Sequence, residues 1–333
     1  MEKVRTWREG PALNLSDVDA VVFDVDGVLV CVESSFPLVV VEVVGEYMRR
    51  KGARIEGSPM TFEDFLAFKR VGGFNSDWDL SLAAVLFFLA KRGLYGDDLR
   101  AWREASPSLE EFLQEVKEEG GGLEGATKVL RRRLGPDFAK VEREWDREGV
   151  IGLFKETYAG RFCERIYGFK GSRNDDGYIS REKLLVDLSL LRGLKMPKGV
   201  VTGRTRGETE VCFELLGLNG LFPEWAVLTH DDGVRKPDPW GLLEVSSRLG
   251  ASKPVYVGDT VDDLEMVRRA RGRGLGAICA LVLSGHGGEG NINFFREIGA
   301  EWVARDVNEV LRVIIEERRS TKGAEEREGP KGN

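Results

Sequence analysis

The stretch Asp19-Ala20-Val21-Val22-Phe23-Asp24-Val25-Asp26-Gly27-Val28 decides the fold. The apolar run 20–23 stops abruptly at two acids and a glycine. No polar residue alternates within it, so neither face is suited to water. It reads as a strand buried on both faces that ends in a polar loop. The pattern recurs at 199–201, ending in Thr202-Gly203, and at 254–257, ending in Gly258-Asp259. Residues 276–283 are a further strand candidate. Helical patterns at 208–216, 240–249 and 263–270 separate these runs. Strands alternating with helices imply a parallel sheet covered on both faces.

The fold class that follows is α/β, a doubly wound parallel sheet with a Rossmann-like core. In such a sheet ligands bind at the carboxyl ends of the strands. Acids, a threonine and a lysine that are far apart in sequence should therefore meet there. The chain between the first strand and Val200 reads differently. Helical patterns at 36–50, 61–70, 80–92, 109–118 and 154–162 fill it, which marks an inserted helical cap rather than a loop. The expected organisation is a core of 1–33 and 192–317, a mostly α-helical cap of 34–191, and a charged, Gly-rich, disordered tail of 318–333.

Bulk properties narrow the class. The chain has 333 residues, 42 % of them hydrophobic and 32 % charged, with a formal net charge of -7. That length suits two domains. An acidic protein is a poor binder of nucleic acid or of an anionic membrane, so any anionic substrate needs local cations or a metal. Abundant Lys, Arg and Glu with a single glutamine, Gln114, lean toward a heat-adapted, thermophilic source. Cys31, Cys163, Cys212 and Cys279 lack metal or redox spacing and read as small buried hydrophobes in a reducing, cytoplasmic setting. The charged first ten residues do not resemble a signal peptide. The apolar stretch 21–45 is broken by Asp24, Asp26, Glu33 and Glu42 and is not a membrane span.

Four segments carry a resemblance. Asp24-Val25-Asp26-Gly27-Val28, Thr202-Gly203, Lys236-Pro237-Asp238-Pro239 and Gly258-Asp259-Thr260-Val261-Asp262-Asp263 resemble, in order, the four motifs of the haloacid dehalogenase superfamily. One such motif arises by chance; four in order, each at a strand end or loop, form a specific signal. Together with Val201-Thr202-Gly203-Arg204 and Val257-Gly258-Asp259-Thr260-Val261-Asp262-Asp263, the segment Gly72-Gly73-Phe74-Asn75-Ser76-Asp77-Trp78-Asp79 resembles a phosphatase-like subgroup of archaea and bacteria, heat-stable and archaeal in character.

The resemblance implies a magnesium-dependent phosphatase acting on a small phosphorylated metabolite. Asp24 is then the nucleophile that forms an aspartyl-phosphate. Asp26 is the general acid and base. Thr202 and Lys236 hold the phosphate and neutralise charge. Gly203, Arg204 and Asn75 join Thr202 and Lys236 as substrate-binding candidates. The Mg2+ ligands implied are the Asp24 carboxylate, the Asp26 backbone carbonyl and Asp259, with Asp263 or Asp262 in or beside that shell. A phosphomutase on a sugar phosphate, or a non-catalytic regulatory protein on the same fold, are the alternative readings.

Several residues stay open. Arg204 and Arg206 contact a substrate anion or merely begin a helix. Segment 74–79 closes over substrate or is a structural turn with Trp78 in the cap core. Lys69 and Arg70 meet a phosphate or end a helix. The run 285–290 reads as a flexible surface loop. His230 and His286 receive no role, and the oligomeric state is not readable.

Overall fold

Among the described residues of this computed structural model, which are 7–8, 15–74, 76–285 and 288–327, the strands are β1 (Trp7–Arg8), β2 (Ala20–Phe23), β3 (Val30–Cys31), β4 (Lys183–Leu184), β5 (Lys198–Val201), β6 (Val227–Leu228), β7 (Pro254–Gly258), β8 (Ile278–Val282) and β9 (Trp302–Ala304). The main sheet runs β1-β9-β8-β7-β2-β5-β6. It is parallel throughout except for β1, which pairs antiparallel with β9 at the edge. Every residue of β2, β7 and β8 is buried, as their unbroken apolar runs require.

The order places β2 at the switch point. From β2 the sheet grows through β5 and β6 on one side and through β7, β8 and β9 on the other. The carboxyl end of β2, where Asp24 follows Phe23, is therefore flanked by the ends of β5 and β7. A crevice forms at such a reversal because the connecting helices diverge to opposite faces. At the other end, Asp19 ties β2 to β7 by accepting from the Ser252 and Lys253 N–H groups at 2.6 and 3.0 Å.

Contacts within the chain divide it into two units, Met1–Val32 with Glu182–Asn333, and Glu33–Arg181. The expected cap is 34–191; the second unit is Glu33–Arg181, so the chain returns to the first unit before residue 191. The segment after Arg181 is anchored on the first unit. β4 pairs with β3, Leu185 N–H donates to Leu29 O at 2.9 Å, and the Asn308 side chain bridges Leu185 and Asp187. Hydrogen bonds, not hydrophobic periodicity, make that assignment, so it left no mark in the pattern. The tail reading also needs correction. The helix Val307–Arg327 includes most of 318–333, a stretch whose Glu, Arg, Lys and Ala residues are good helix formers. Residues 328–333 lie outside the described residues. No helix of the described residues is long and apolar enough to cross a membrane.

The unit Glu33–Arg181 is built of helices, the longest being Asp77–Tyr95. All residues of that helix from Leu80 to Lys91 are buried, and all but Ser81 and Lys91 are apolar, as suits a central helix. Its one buried cation, Lys91, donates to the Ala105 and Pro107 carbonyls. The helix is preceded by a turn at Gly72-Gly73, which lies against Gly121-Gly122, with Gly122 N–H donating to Gly72 O at 3.1 Å. Both backbones need the space. A Cβ on Gly73 would sit 2.6 Å from Gly122 N, and φ there is +75°. We expect Gly73→Ala to cost about 2 kcal/mol or more, combining left-handed strain with the clash. Gly57→Ala is the control, because φ is +71° but nothing lies within 4 Å. Its cost should be about 1 kcal/mol. Denaturant unfolding of both variants gives the comparison, and equal losses would count against the crossing as the cause.

Candidate active site

The site is assembled from four strand ends. Asp24 follows β2, and its Oδ1 accepts from the Val25 N–H at 2.8 Å. The loop beyond it turns tightly, with Leu29 and Val30 N–H groups both donating to Val25 O at 2.9 Å. Lys236 comes from the loop after β6. Its ammonium lies 2.7 Å from Asp24 Oδ2 and 2.9 Å from Asp263 Oδ1. Asp259 follows β7. The nearest carboxylate oxygens of Asp24, Asp259 and Asp263 all fall within 4.8 Å of one another.

Asp263 is braced from every side. As N3 of the helix Val261–Gly272 it completes a capping box with Thr260. Its Oδ2 accepts from Asp259 N, Thr260 N and Thr260 Oγ1 at 3.1, 3.0 and 2.7 Å. Its Oδ1 accepts from the Tyr256 hydroxyl at 2.8 Å as well as from Lys236. Burial opposes its ionisation, but the Lys236 ammonium and these hydrogen bonds outweigh it and hold the carboxyl below the usual range. Gly258 leaves room for the side chain, since a Cβ there would lie 2.5 Å from Asp263 Cβ.

Asp24 and Asp259 are in the opposite condition. Burial pushes Asp24 up to about 7 against the pull of Lys236. Burial, followed by the negative charges of Asp263 and Asp24, pushes Asp259 well above its ordinary value. Among the described residues no donor meets the Asp259 carboxylate. Two glycines wall it in: a Cβ on Gly27 or on Gly285 would approach Asp259 Oδ2 to 2.2 or 1.8 Å. Ser284 locks that wall, its hydroxyl donating to Gly27 O at 2.6 Å. Gly285 is thus buried against the site, and the surface-loop reading of 285–290 is corrected at its first residue. His286 and Gly287 lie outside the described residues.

One lysine among three buried carboxylates leaves a deficit of positive charge. A divalent oxygen-seeking cation fits that deficit, with Asp24 and Asp259 as the carboxylates that have oxygen to offer.

Thr202 is fully buried at the end of β5, where its hydroxyl oxygen accepts from the Arg204 N–H at 3.2 Å. Gly203 beside it is exposed, with nothing within 4 Å of an added Cβ. Arg204 does not present itself to a substrate. Its side chain is 1 % exposed and its guanidinium is held by Asp26 and Glu182. Arg206 pairs with Asp232 at 2.5 Å. In the helical unit Lys69 is likewise engaged, by Phe74 O at 2.9 Å and Asp77 at 2.8 Å, so it braces the turn before the long helix. Trp78 is half-buried, with the Lys155 ammonium 4.9 Å from its ring centroid. Asn75 lies outside the described residues. Sequence reasoning missed Tyr256, Glu182, Ser284 and Gly285. Only Tyr256 carried a signal, as a hydroxyl inside an apolar run that must find a partner when buried.

A family model described as haloacid dehalogenase-like hydrolase matches residues 18–271. The chain belongs to the haloacid dehalogenase-like hydrolases. Among solved structures, this hydrolase is similar to the phosphatase Tt82 from Thermococcus thioreducens. They are 25 % identical, with a TM-score of 0.63 over 89 % of this chain and 99 % of that one. A structural-genomics target of 18 % identity shares the fold, with a TM-score of 0.64 over 89 % of this chain and 98 % of the other. A curated relative, imidazoleglycerol-phosphate dehydratase of Phytophthora nicotianae, is 28 % identical over 261 residues. The match takes in 77 % of this chain but only 42 % of that longer protein.

The carboxyl shifts make a prediction about metal and pH. Asp24 rises from 3.8 to about 7, and Asp259 rises too, so the metal-free folded hydrolase retains protons that its unfolded chain has released. This contribution to stability is present below about pH 4 and is lost as pH rises toward about 7. A divalent ion binding the ionised carboxylates reverses that loss. The thermal midpoint should therefore gain more from magnesium at about pH 8 than at about pH 5.5. The same gain at both would show that these carboxylates do not hold the ion. Gly285→Ala, which drives a Cβ into Asp259, should weaken the magnesium response with the fold intact by circular dichroism.

Proposed function

We propose that this hydrolase is a phosphatase that hydrolyses a small phosphorylated metabolite through an aspartyl-phosphate on Asp24. The observation that carries the reading is the Asp24 carboxylate at the sheet's switch point, gripped by Lys236 and flanked by the Asp259 carboxylate, which no donor meets among the described residues. The resemblance to the Thermococcus phosphatase over nearly its whole length supports it. The Phytophthora nicotianae dehydratase lends it little, because most of that protein lies outside the match.

The roles follow from charge and geometry. An Asp24 oxygen attacks phosphorus, and the ester P–O bond breaks as the leaving oxygen takes a proton from Asp26. A water then attacks the aspartyl-phosphate, giving its proton to Asp26. Phosphate departs and the Asp24 carboxylate returns. Lys236 lies against both the nucleophile and Asp263, so its position is set from two sides. Thr202 and the backbone after β5 offer hydrogen bonds to a phosphate oxygen. The Asp24 and Asp259 carboxylates with the Asp26 backbone carbonyl would hold magnesium, which supplies the positive charge that offsets a phosphate beside these acids. Asp263 we assign to holding Lys236 and Asp259, because its oxygens already accept from five donors.

These side chains recognise a phosphoryl group and a leaving oxygen.

The test of the nucleophile is Asp24→Asn with a nitrophenyl phosphate and magnesium. Turnover should fall on the order of 10⁴-fold or more. Excess chelator should abolish wild-type activity, and calcium should inhibit because its looser coordination misplaces the nucleophile. Unchanged hydrolysis by Asp24→Asn would falsify the mechanism. In Asp26→Asn, nitrophenolate should still appear in a burst, because that leaving group needs no proton. Steady-state turnover should slow by about 10²- to 10⁴-fold for want of a base.

A further inference from the structure

Arg204 and Glu182 form the one buried ion pair beside the reacting groups that the mechanism above leaves unused, among the described residues. Both side chains are almost fully buried, at 1 % and 0 % exposed. Glu182 is the residue just before β4, and Arg204 lies two residues beyond Thr202. Arg204 Nη1 donates to Glu182 Oε2 at 2.9 Å. Its other two nitrogens, Nε and Nη2, both donate to Asp26 Oδ1, at 2.8 and 2.5 Å. The Cys212 thiol, kept protonated by its own burial, donates to Glu182 from behind.

Two features set this arrangement apart from an ordinary structural ion pair. The guanidinium converges on one oxygen of Asp26, and among the described residues Asp26 Oδ2 meets no donor. The Asp26 side chain is also 35 % exposed, whereas both partners behind it are buried. A short exposed carboxylate is ordinarily free to rotate about two side-chain bonds. Here a rigid, planar donor, itself fixed from the far side, holds it by one end. Buried charges are costly unless fully paired, so the chain Glu182–Arg204–Asp26 adopts one arrangement rather than several.

Resting on the phosphatase reading, we propose that Arg204, anchored by Glu182, is a positioning residue that fixes Asp26 through Oδ1 and leaves Oδ2 to exchange the proton with leaving group and water. Arg204 thereby acts through Asp26 and makes no contact with the phosphate.

The test is pre-steady-state kinetics on the full chain with a nitrophenyl phosphate and magnesium, comparing wild type, Asp24→Asn, Asp26→Asn, Arg204→Met and the double variant Arg204→Met/Asp26→Asn. Phosphorylation of Asp24 by this ester needs no acid, so Arg204→Met should keep a burst close to one equivalent per folded site. Its steady state should slow by about 100-fold, the scale of a misplaced catalytic group. The double variant should be no slower than Asp26→Asn alone, because both changes remove the same function. Arg204→Lys, which keeps one donor but loses the fork, should recover part of the rate. Arg204→Met strands Glu182 without its partner, so Arg204→Met/Glu182→Met serves as a folded second probe and should show the same burst and slow phase. A higher KM with the turnover number intact would place Arg204 on the substrate instead. A burst that shrinks with the slow phase, or a double variant slower by the product of the single losses, would also overturn the proposal. Wild-type activity in Asp24→Asn would strike the phosphatase reading itself, and with it this one.

Discussion

The Lys236 ammonium between Asp24 and Asp263 is the interaction on which the rest of the site depends. Two carboxylates this close and this deeply buried cannot both stay ionised without a cation between them. Lys236 supplies that cation at 2.7 and 2.9 Å from the two oxygens. Everything around Asp263 then serves to hold the lysine. The Tyr256 hydroxyl, the Thr260 side chain and two backbone N–H groups occupy the remaining acceptor positions. The consequence is a division of labour among acids of the same type. Asp263 is saturated with donors and held low, while Asp24 and Asp259 are pushed upward and keep oxygen available.

The sheet makes this division possible. β2 has β5 on one side and β7 on the other, so the residues beyond these three strands share one edge. Helix capping adds local precision. The helix Val261–Gly272 starts at Thr260 because Thr260 and Asp263 cap each other, and that same cap aims Asp263 back at Lys236. The elements that fold this region are thus also the elements that orient its charges. Glycine has a matching role at two positions, Gly27 and Gly285, where the backbone must touch Asp259 without a side chain between them.

A second buried cation repeats the theme at Asp26. Arg204 suits that place because its planar fork can serve two carboxylates at once, which a lysine ammonium does less directionally. The site therefore uses lysine where one point charge must balance two acids, and arginine where a carboxylate must be pointed. The helical unit follows the same rule without any reactive group: Lys91 is buried in its central helix and is satisfied by two carbonyls.

Much of this was legible in the sequence. The apolar runs at 20–23, 199–201 and 254–257 named the three central strands, because burial on both faces demands unbroken apolar residues. The four motifs pointed to Asp24, Asp26, Thr202, Lys236 and Asp259 through their resemblance to a known family, and all but Lys236 follow closely on the ends of buried strands. The helices Phe36–Arg50 and Leu109–Glu118 were read to the residue from their periodicity. The short strands β6 and β9 were not, since two or three residues carry no period. The sequence alone did not settle what distant neighbours do to a side chain. It left Arg204 as a substrate contact or a solvated arginine, and it left Asp262 and Asp263 equivalent. The tertiary structure separated them, because only the fold brings Glu182 to Arg204 and Tyr256 and Lys236 to Asp263. Strand burial is a property of consecutive residues, whereas a charged side chain's role depends on partners drawn from anywhere along the chain.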